Sequence, residues 1–113
     1  MACVLIIDDH QGTLDTFSTI LRSAGFDTAT ASSGRAGIDL AKGRAFDVVL
    51  VDLCMPDISG IEVVRELKSA DLTRRAVIVT VFAAFESAFD AAAAGADGYV
   101  DGMLFGDEVV KVV

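Results

Sequence analysis

The sequence is poor in basic residues. Nine Lys and Arg side chains stand against 17 Asp and Glu side chains, so the formal charge at pH 7 is −8. Nucleic acids and anionic membranes are bound by clustered Lys and Arg, whereas the basic residues here are scattered along the chain. The composition therefore argues against direct binding of nucleic acid or of a membrane surface by this chain.

Long apolar runs and cysteine frameworks are also absent. No stretch reaches the roughly 18 consecutive apolar residues of a membrane span, and the residues after Met1 lack the basic start of a signal peptide. Two cysteines, Cys3 and Cys54, show neither zinc spacing nor a disulfide pattern. We interpret both as small apolar filler residues, and these absences together predict a cytoplasmic location.

The length and the apolar content indicate one domain. The chain has 113 residues, 53% of them hydrophobic, which is enough for a single core. We therefore assign residues 1–113 to one domain. Short apolar runs alternate with segments of helical spacing, and the runs cover residues 2–8, 26–31, 47–52, 76–81 and 98–101.

The intervening segments carry helix signals. Gly25, Gly43 and Gly95 each follow a helical pattern, as expected just past a helix end. Ser59 and Glu62 form a capping-box pattern. The first predicted helix ends before Gly25, the second covers residues 33–42, the third begins at Ser59, the fourth covers residues 85–94, and a final, shortened one covers residues 107–113. Their predicted apolar stripes are Leu14, Phe17, Leu21 and Ala24; Ala36, Ile38 and Ala41; and Ile61, Val64 and Leu67.

The strand patterns predict the order of the sheet. Strict alternation of strand and helix indicates a parallel sheet with helices on both faces. The first, third and fourth runs are continuously apolar, as in strands buried on both faces, whereas residues 26–30 alternate like an edge strand. The predicted fold is therefore a flavodoxin-like, doubly wound α/β domain with five parallel strands in the order 2-1-3-4-5.

Acidic residues end two of the central strands. Asp8 and Asp9 follow the first strand, Asp52 follows the third, and Thr80 ends the fourth. One such Asp alone would be an ordinary helix cap, but three carboxylates at one sheet edge repel each other unless a cation is present. The all-oxygen donor set favours Mg²⁺. His10, next to this pair, is interpreted as a solvent-exposed residue of the first helix.

At this point a resemblance is evident. The acidic pair Asp8-Asp9, the stretch 51–60 (Val-Asp-Leu-Cys-Met-Pro-Asp-Ile-Ser-Gly), the Thr at 80 and the stretch 95–99 (Gly-Ala-Asp-Gly-Tyr) resemble a receiver domain of the two-component response regulators, over essentially the whole chain. The resemblance implies that Asp52 accepts a phosphoryl group from a sensor histidine kinase or phosphotransfer protein, without the chain acting as an enzyme on other substrates.

The resemblance also implies roles for other residues. Asp9 and Asp52 would bind Mg²⁺ through their side chains, Asp8 through water, and Cys54 through its main-chain carbonyl. Thr80 and Tyr99 would switch together, changing the surface formed by the fourth helix, the fifth strand and the fifth helix, where a homodimer could form. Cys54 and Phe82 would flank the path of the hydrolytic water, and because neither orients water, we predict slow autodephosphorylation.

One position departs from the family. Receiver domains usually carry a lysine three residues after the aromatic of the fifth strand, but Gly102 occupies that position, and no lysine lies between Lys68 and Lys111. Two alternatives therefore stay open beside a working receiver. The first is a degenerate receiver that binds partners without phosphorylation. The second is a Mg²⁺-dependent phosphatase or nucleotide-binding module, although no Gly-rich phosphate loop is present. No residue pattern in the sequence identifies an output domain or an output partner.

Overall fold

A five-stranded parallel sheet forms the centre of the chain. The computed structural model describes residues 2–80 and 90–101. The strands are β1 (Cys3–Ile7), β2 (Asp27–Ala31), β3 (Phe46–Val51), β4 (Thr73–Thr80) and β5 (Gly98–Asp101). They run in the order β2-β1-β3-β4-β5, which confirms the predicted winding with β2 and β5 at the edges.

Three complete helices lie within the described residues: α1 (Gln11–Ser23), α2 (Gly34–Gly43) and α3 (Gly60–Ser69). Residues 90–93 are also helical. The turn that follows them contains Gly95, whose φ of 102° suits glycine. The rest of the predicted fourth helix and the predicted helix at 107–113 lie outside the described residues. Within the described part, no helix is long and apolar enough to cross a membrane.

The core consists of two layers, one on each face of the sheet. Alternate residues of the central strands point to opposite faces, so Leu5 and Ile7 pack with α2 and α3. Val4 and Ile6 pack on the other face with α1, through Leu14, Phe17 and Leu21. Because both faces are covered, the central strands are apolar throughout, and this confirms the prediction of helices on both faces.

Some predicted details are wrong. β4 begins at Thr73, three residues before the predicted start, because the buried Thr73 pairs with Phe46 and its Oγ1 donates to that residue's carbonyl oxygen at 3.2 Å. Ala24 and Ala36 are exposed and do not belong to the apolar stripes. In α2 the buried positions next to Ile38 are instead glycines, Gly34 and Gly37.

Candidate functional site

The predicted site residues at the ends of the central strands lie at one edge of the sheet. The amide of Asp52 donates to the carbonyl of Ile7 at 2.9 Å, and the amide of Asp8 donates to that of Ala31 at 3.1 Å. These bonds extend the sheet pairing past the last strand residues. Asp8 and Asp52 therefore follow adjacent strands in register, as the carboxyl ends of parallel strands require.

Crowding changes the acidity of these carboxyl groups. Burial, and after it the negative charges of Asp8 and Asp9, together raise the pKa of Asp52 from 3.8 to about 6. Burial also raises the pKa of Asp8, which is 8% exposed, although the amide of His10 donates to its Oδ1 at 2.9 Å and opposes the shift. A site with these properties stabilises a bound cation, because the cation removes the repulsion between the carboxylates.

His10 lies closer to the acidic pair than the sequence suggests. Its Nδ1 is 3.8 Å from Asp8 Oδ1 and 3.6 Å from Asp9 Oδ1, with 80% of the side chain exposed. One ligand atom from each of the three residues lies within 4.8 Å of the others. His10 is the N-cap residue of α1, with an extended backbone, and is not part of the helix as predicted.

The donor set fits the cation expected from the sequence. Carboxylate oxygens are the ligands that Mg²⁺ takes in proteins, usually one or two with several waters. Asp8 and Asp9 supply such oxygens within 4.8 Å of each other, and Asp52 carries another carboxylate at the same sheet edge, while the imidazole of His10 adds a nitrogen donor that Mg²⁺ does not need. The residues present therefore suit Mg²⁺.

The segment after Asp52 borders the same site. The amide of Gly60 donates to the carbonyl of Leu53 at 2.8 Å and closes the loop between β3 and α3. A Cβ at Gly60 would lie 2.1 Å from the carbonyl oxygen of Asp52, so this approach requires glycine. Cys54 is exposed and lines an open depression of about 550 Å³ together with Asp9.

The two cysteines have different environments. Cys3 is partly buried and packs against the core, as predicted for an apolar filler residue. The exposed Cys54 does not fit that interpretation, because its side chain lies on the loop surface beside the site. Its position is compatible with its second predicted role, that of a residue flanking access to Asp52.

The predicted switch pair lies on one face of the sheet. Tyr99 pairs with Ile78 across the sheet, and Thr80 pairs with Asp101. Thr80 lies two residues after Ile78 and so points to the same face as Ile78 and its partner Tyr99. Thr80 is 2% exposed, and Tyr99 is partly buried against the core layer of α2 and α3. Phe82 and Gly102 lie outside the described residues.

Asp97, which precedes β5, was not assigned a role from the sequence. Its Oδ2 accepts from the amide of Ala76 at 2.8 Å and from Lys68 Nζ at 2.9 Å. Burial raises the pKa of Asp97, but the bonds from Lys68 and Ala76 outweigh this effect and hold the pKa below its ordinary value. Asp97 thus fixes β5, and with it Tyr99, against β4 and α3. Its place in the Gly-Ala-Asp-Gly-Tyr stretch was the only sequence signal.

Comparison with known proteins gives a consistent assignment. The response regulator receiver domain family matches residues 4–112. The cell cycle transcriptional regulator CtrA of Caulobacter vibrioides is 35% identical over 107 residues, which are 95% of this chain and 46% of CtrA. The chain therefore spans less than half the length of such relatives.

Solved structures agree with this match. The chemotaxis protein CheY4 of Vibrio cholerae is 29% identical with a TM-score of 0.90, over 99% of this chain and 95% of that one. A Burkholderia pseudomallei response regulator, solved with a phosphorylated aspartic acid, a calcium ion and citrate, is 25% identical with a TM-score of 0.89. The aligned region is 97% of this chain and 65% of the Burkholderia protein.

Proposed function

The chain belongs to the response regulator receiver domain family, and we propose that it is a phosphoacceptor whose acceptor residue is Asp52. The donor would be the phosphohistidine of a sensor histidine kinase or of a phosphotransfer protein, in the cytoplasm. The chain would be a signalling domain and not an enzyme with an external substrate. Any turnover would be limited to its own phosphorylation and dephosphorylation.

The chemistry follows from the carboxylate nucleophile. An oxygen of Asp52 attacks phosphorus and forms a new P–O bond, while the P–N bond of phosphohistidine breaks and its electron pair returns to the imidazole. Asp52 must be ionised to attack, and burial together with the neighbouring charges of Asp8 and Asp9 raises its pKa to about 6. At pH 7 most Asp52 is therefore ionised, and any cation in the site increases that fraction.

Four groups would hold Mg²⁺: the side chains of Asp9 and Asp52 and the carbonyl of Cys54 directly, and the side chain of Asp8 through water. When bound, Mg²⁺ supplies positive charge for the phosphoryl oxygens. The chain's own residues keep the nucleophile at the sheet edge and hold the acidic pair beside it. This role matters more here because Gly102 replaces the usual lysine, which would have added a second positive charge.

Thr80 and Tyr99 would carry the signal away from the site. Both lie on the face of the sheet that α2 and α3 cover, and the Thr80 hydroxyl would bond the phosphoryl oxygen. Movement of that hydroxyl would let the Tyr99 ring move inward, which changes the surface of the fourth helix, the fifth strand and the fifth helix. A homodimer, a partner or a further domain would bind that changed surface.

The observation that carries the proposal is that Asp52, partly buried at the sheet edge, feels the negative charges of Asp8 and Asp9, with a pKa raised to about 6 by burial and by these charges. A structural ion-pair network would hold this pKa low instead. The Burkholderia regulator with the same fold holds a phosphorylated aspartic acid and a calcium ion, which agrees with this chemistry.

Incubation with Mg²⁺ and acetyl phosphate, followed by intact mass measurement, tests the proposal. We expect the mass of one phosphoryl group on the wild type, none after Asp52→Asn, and none in EDTA. Asp15→Asn, an exposed acidic change on α1, is the matched control and should be phosphorylated like the wild type. Unmodified wild-type protein that still binds Mg²⁺ would favour the phosphorylation-independent receiver.

A further inference from the structure

Asp57 connects the loop after Asp52 to a helix that is distant in sequence. Its Oδ2 accepts from the amide of Arg35 at 2.8 Å, and its Oδ1 accepts from the amide of Gly34 at 3.2 Å. These amides belong to the first turn of α2, where helix N–H groups have no partner within the helix. Ser33 Oγ accepts from the amide of Ala36 at 3.2 Å, so Asp57 adds a second cap from another loop.

Close packing reinforces this connection. A Cβ on Gly34 would lie 2.5 Å from Ile58 Cγ1, so the helix start lies directly against the residue after Asp57. A Cβ on Gly37 would lie 2.2 Å from Ile7 Cδ1. Because Ile7 precedes Asp8 directly, α2 touches both segments that carry the site's carboxylates.

The loop from Asp52 to Gly60 is restrained at both ends and in its middle. Asp52 is held at one end by the bond from its amide to Ile7, and Gly60 is held at the other by its bond to Leu53. Between these points, Pro56 restricts the backbone, and the Asp57 carboxylate is the side-chain anchor to α2. The carbonyl of Cys54 lies three residues before that anchor.

We propose that Asp57 is a positioning residue for the metal site, which it serves by fixing the loop that carries the Cys54 carbonyl against α2. This inference rests on the proposed function, because it assumes that the loop supplies a metal ligand. Groups behind the direct ligands of a metal commonly change its affinity by about 10- to 100-fold when they are removed.

Charge is the competing explanation for any effect of Asp57. The side chain lines the same depression as Asp9 and Cys54, so its negative charge alone would attract a cation. Asp57→Asn and Asp57→Ala remove the same charge, but Asn retains an oxygen that accepts one of the two amide bonds. A positioning role therefore predicts different effects for the two variants, and a charge effect predicts equal ones.

Isothermal titration with Mg²⁺ at fixed ionic strength separates these cases. We expect affinity to fall about tenfold for Asp57→Ala and by a smaller factor for Asp57→Asn. Asp39→Asn, an exposed change of the same charge in α2, should stay within about twofold of the wild type, as for other surface charges. In ¹⁵N spectra, the amides of Gly34 and Arg35 should shift on Mg²⁺ addition in the wild type and lose this response in Asp57→Ala.

Four results would overturn the inference. Wild-type affinity in both variants would show that the anchor does not serve the site, and equal losses in both would assign the effect to charge. If Asp57→Ala does not fold, an Asp57→Asn variant that binds Mg²⁺ as tightly as Asp39→Asn would overturn the inference. A wild-type protein that takes up no Mg²⁺ would overturn the inference together with the proposed metal site, whereas the first two results would leave that site intact.

Discussion

Neutralising Asp52 is predicted to stabilise the metal-free protein. The pKa of Asp52 rises from 3.8 to about 6 on folding because of burial and of the charges on Asp8 and Asp9. The folded state therefore binds this proton more tightly than the unfolded chain does. The resulting cost in stability is absent below a pH of about 3.8, grows as the pH rises, and is complete above about 6.

The size of the effect follows from the shift. A change of this size corresponds to at most about 3 kcal/mol in the free energy of unfolding. Asp52 is only partly buried, and screening by solvent reduces the effect, so we expect about 1 to 2 kcal/mol. For a domain of this size that is roughly 4 to 8 °C in Tm.

Thermal unfolding of the wild type and Asp52→Asn, followed by circular dichroism in EDTA, measures this difference. We expect the variant to have the higher Tm at pH 7.5 and the gap to shrink at pH 4.5. Adding Mg²⁺ should raise the Tm of the wild type more than that of the variant, because the ion binds the folded wild-type site more tightly. Equal Tm values at pH 7.5, or a Tm difference between the two proteins that does not change with pH, would refute the reasoning.

Three further predictions concern residues around the site and the lifetime of the phosphorylated protein. Gly60→Ala should lower the free energy of unfolding by at least about 2 kcal/mol, because the new Cβ would meet the carbonyl oxygen of Asp52. Gly12→Ala on α1, where a Cβ meets open space, should instead raise the free energy of unfolding by up to about 1 kcal/mol. Urea unfolding that gives the two variants equal stability would contradict this account. Lys68→Met should cost about 1 kcal/mol by removing the ion pair with Asp97, with a smaller cost in high salt; a cost independent of salt would argue against the ion pair. The phosphorylated wild type should hydrolyse slowly, and Phe82→Ala should accelerate this; decay within seconds that the variant leaves unchanged would exclude a gating role.

The sheet was predictable from the sequence because burial acts on whole strands. Continuous apolar runs marked β1, β3 and β4 as central, and the alternating residues 26–30 marked an edge, so the order followed from burial alone. The start of β4 was not predictable in this way, because Arg74 and Arg75 interrupt the apolar pattern. That start depends on the pairing of Thr73 with Phe46 across the sheet.

The acidic centre was predictable because residues after adjacent parallel strands meet at one edge. Contacts between segments that are distant in the sequence were not predictable. The hydrogen bonds that the Asp57 carboxylate accepts from the first amides of α2 join residues more than 20 positions apart, and the pattern of the sequence carries no signal for them. The approach of His10 to the acidic pair depends on a backbone conformation at the N-cap, which hydrophobic spacing does not specify.

The central claim is that Asp52 receives the phosphoryl group. Reduction of the phosphorylated protein with borohydride converts an aspartyl phosphate to homoserine, and tandem mass spectrometry then assigns the modified residue. We predict that this conversion occurs at Asp52 and requires Mg²⁺ during phosphorylation. Conversion at Asp8 or Asp9, or no conversion in protein that binds Mg²⁺, would contradict the account.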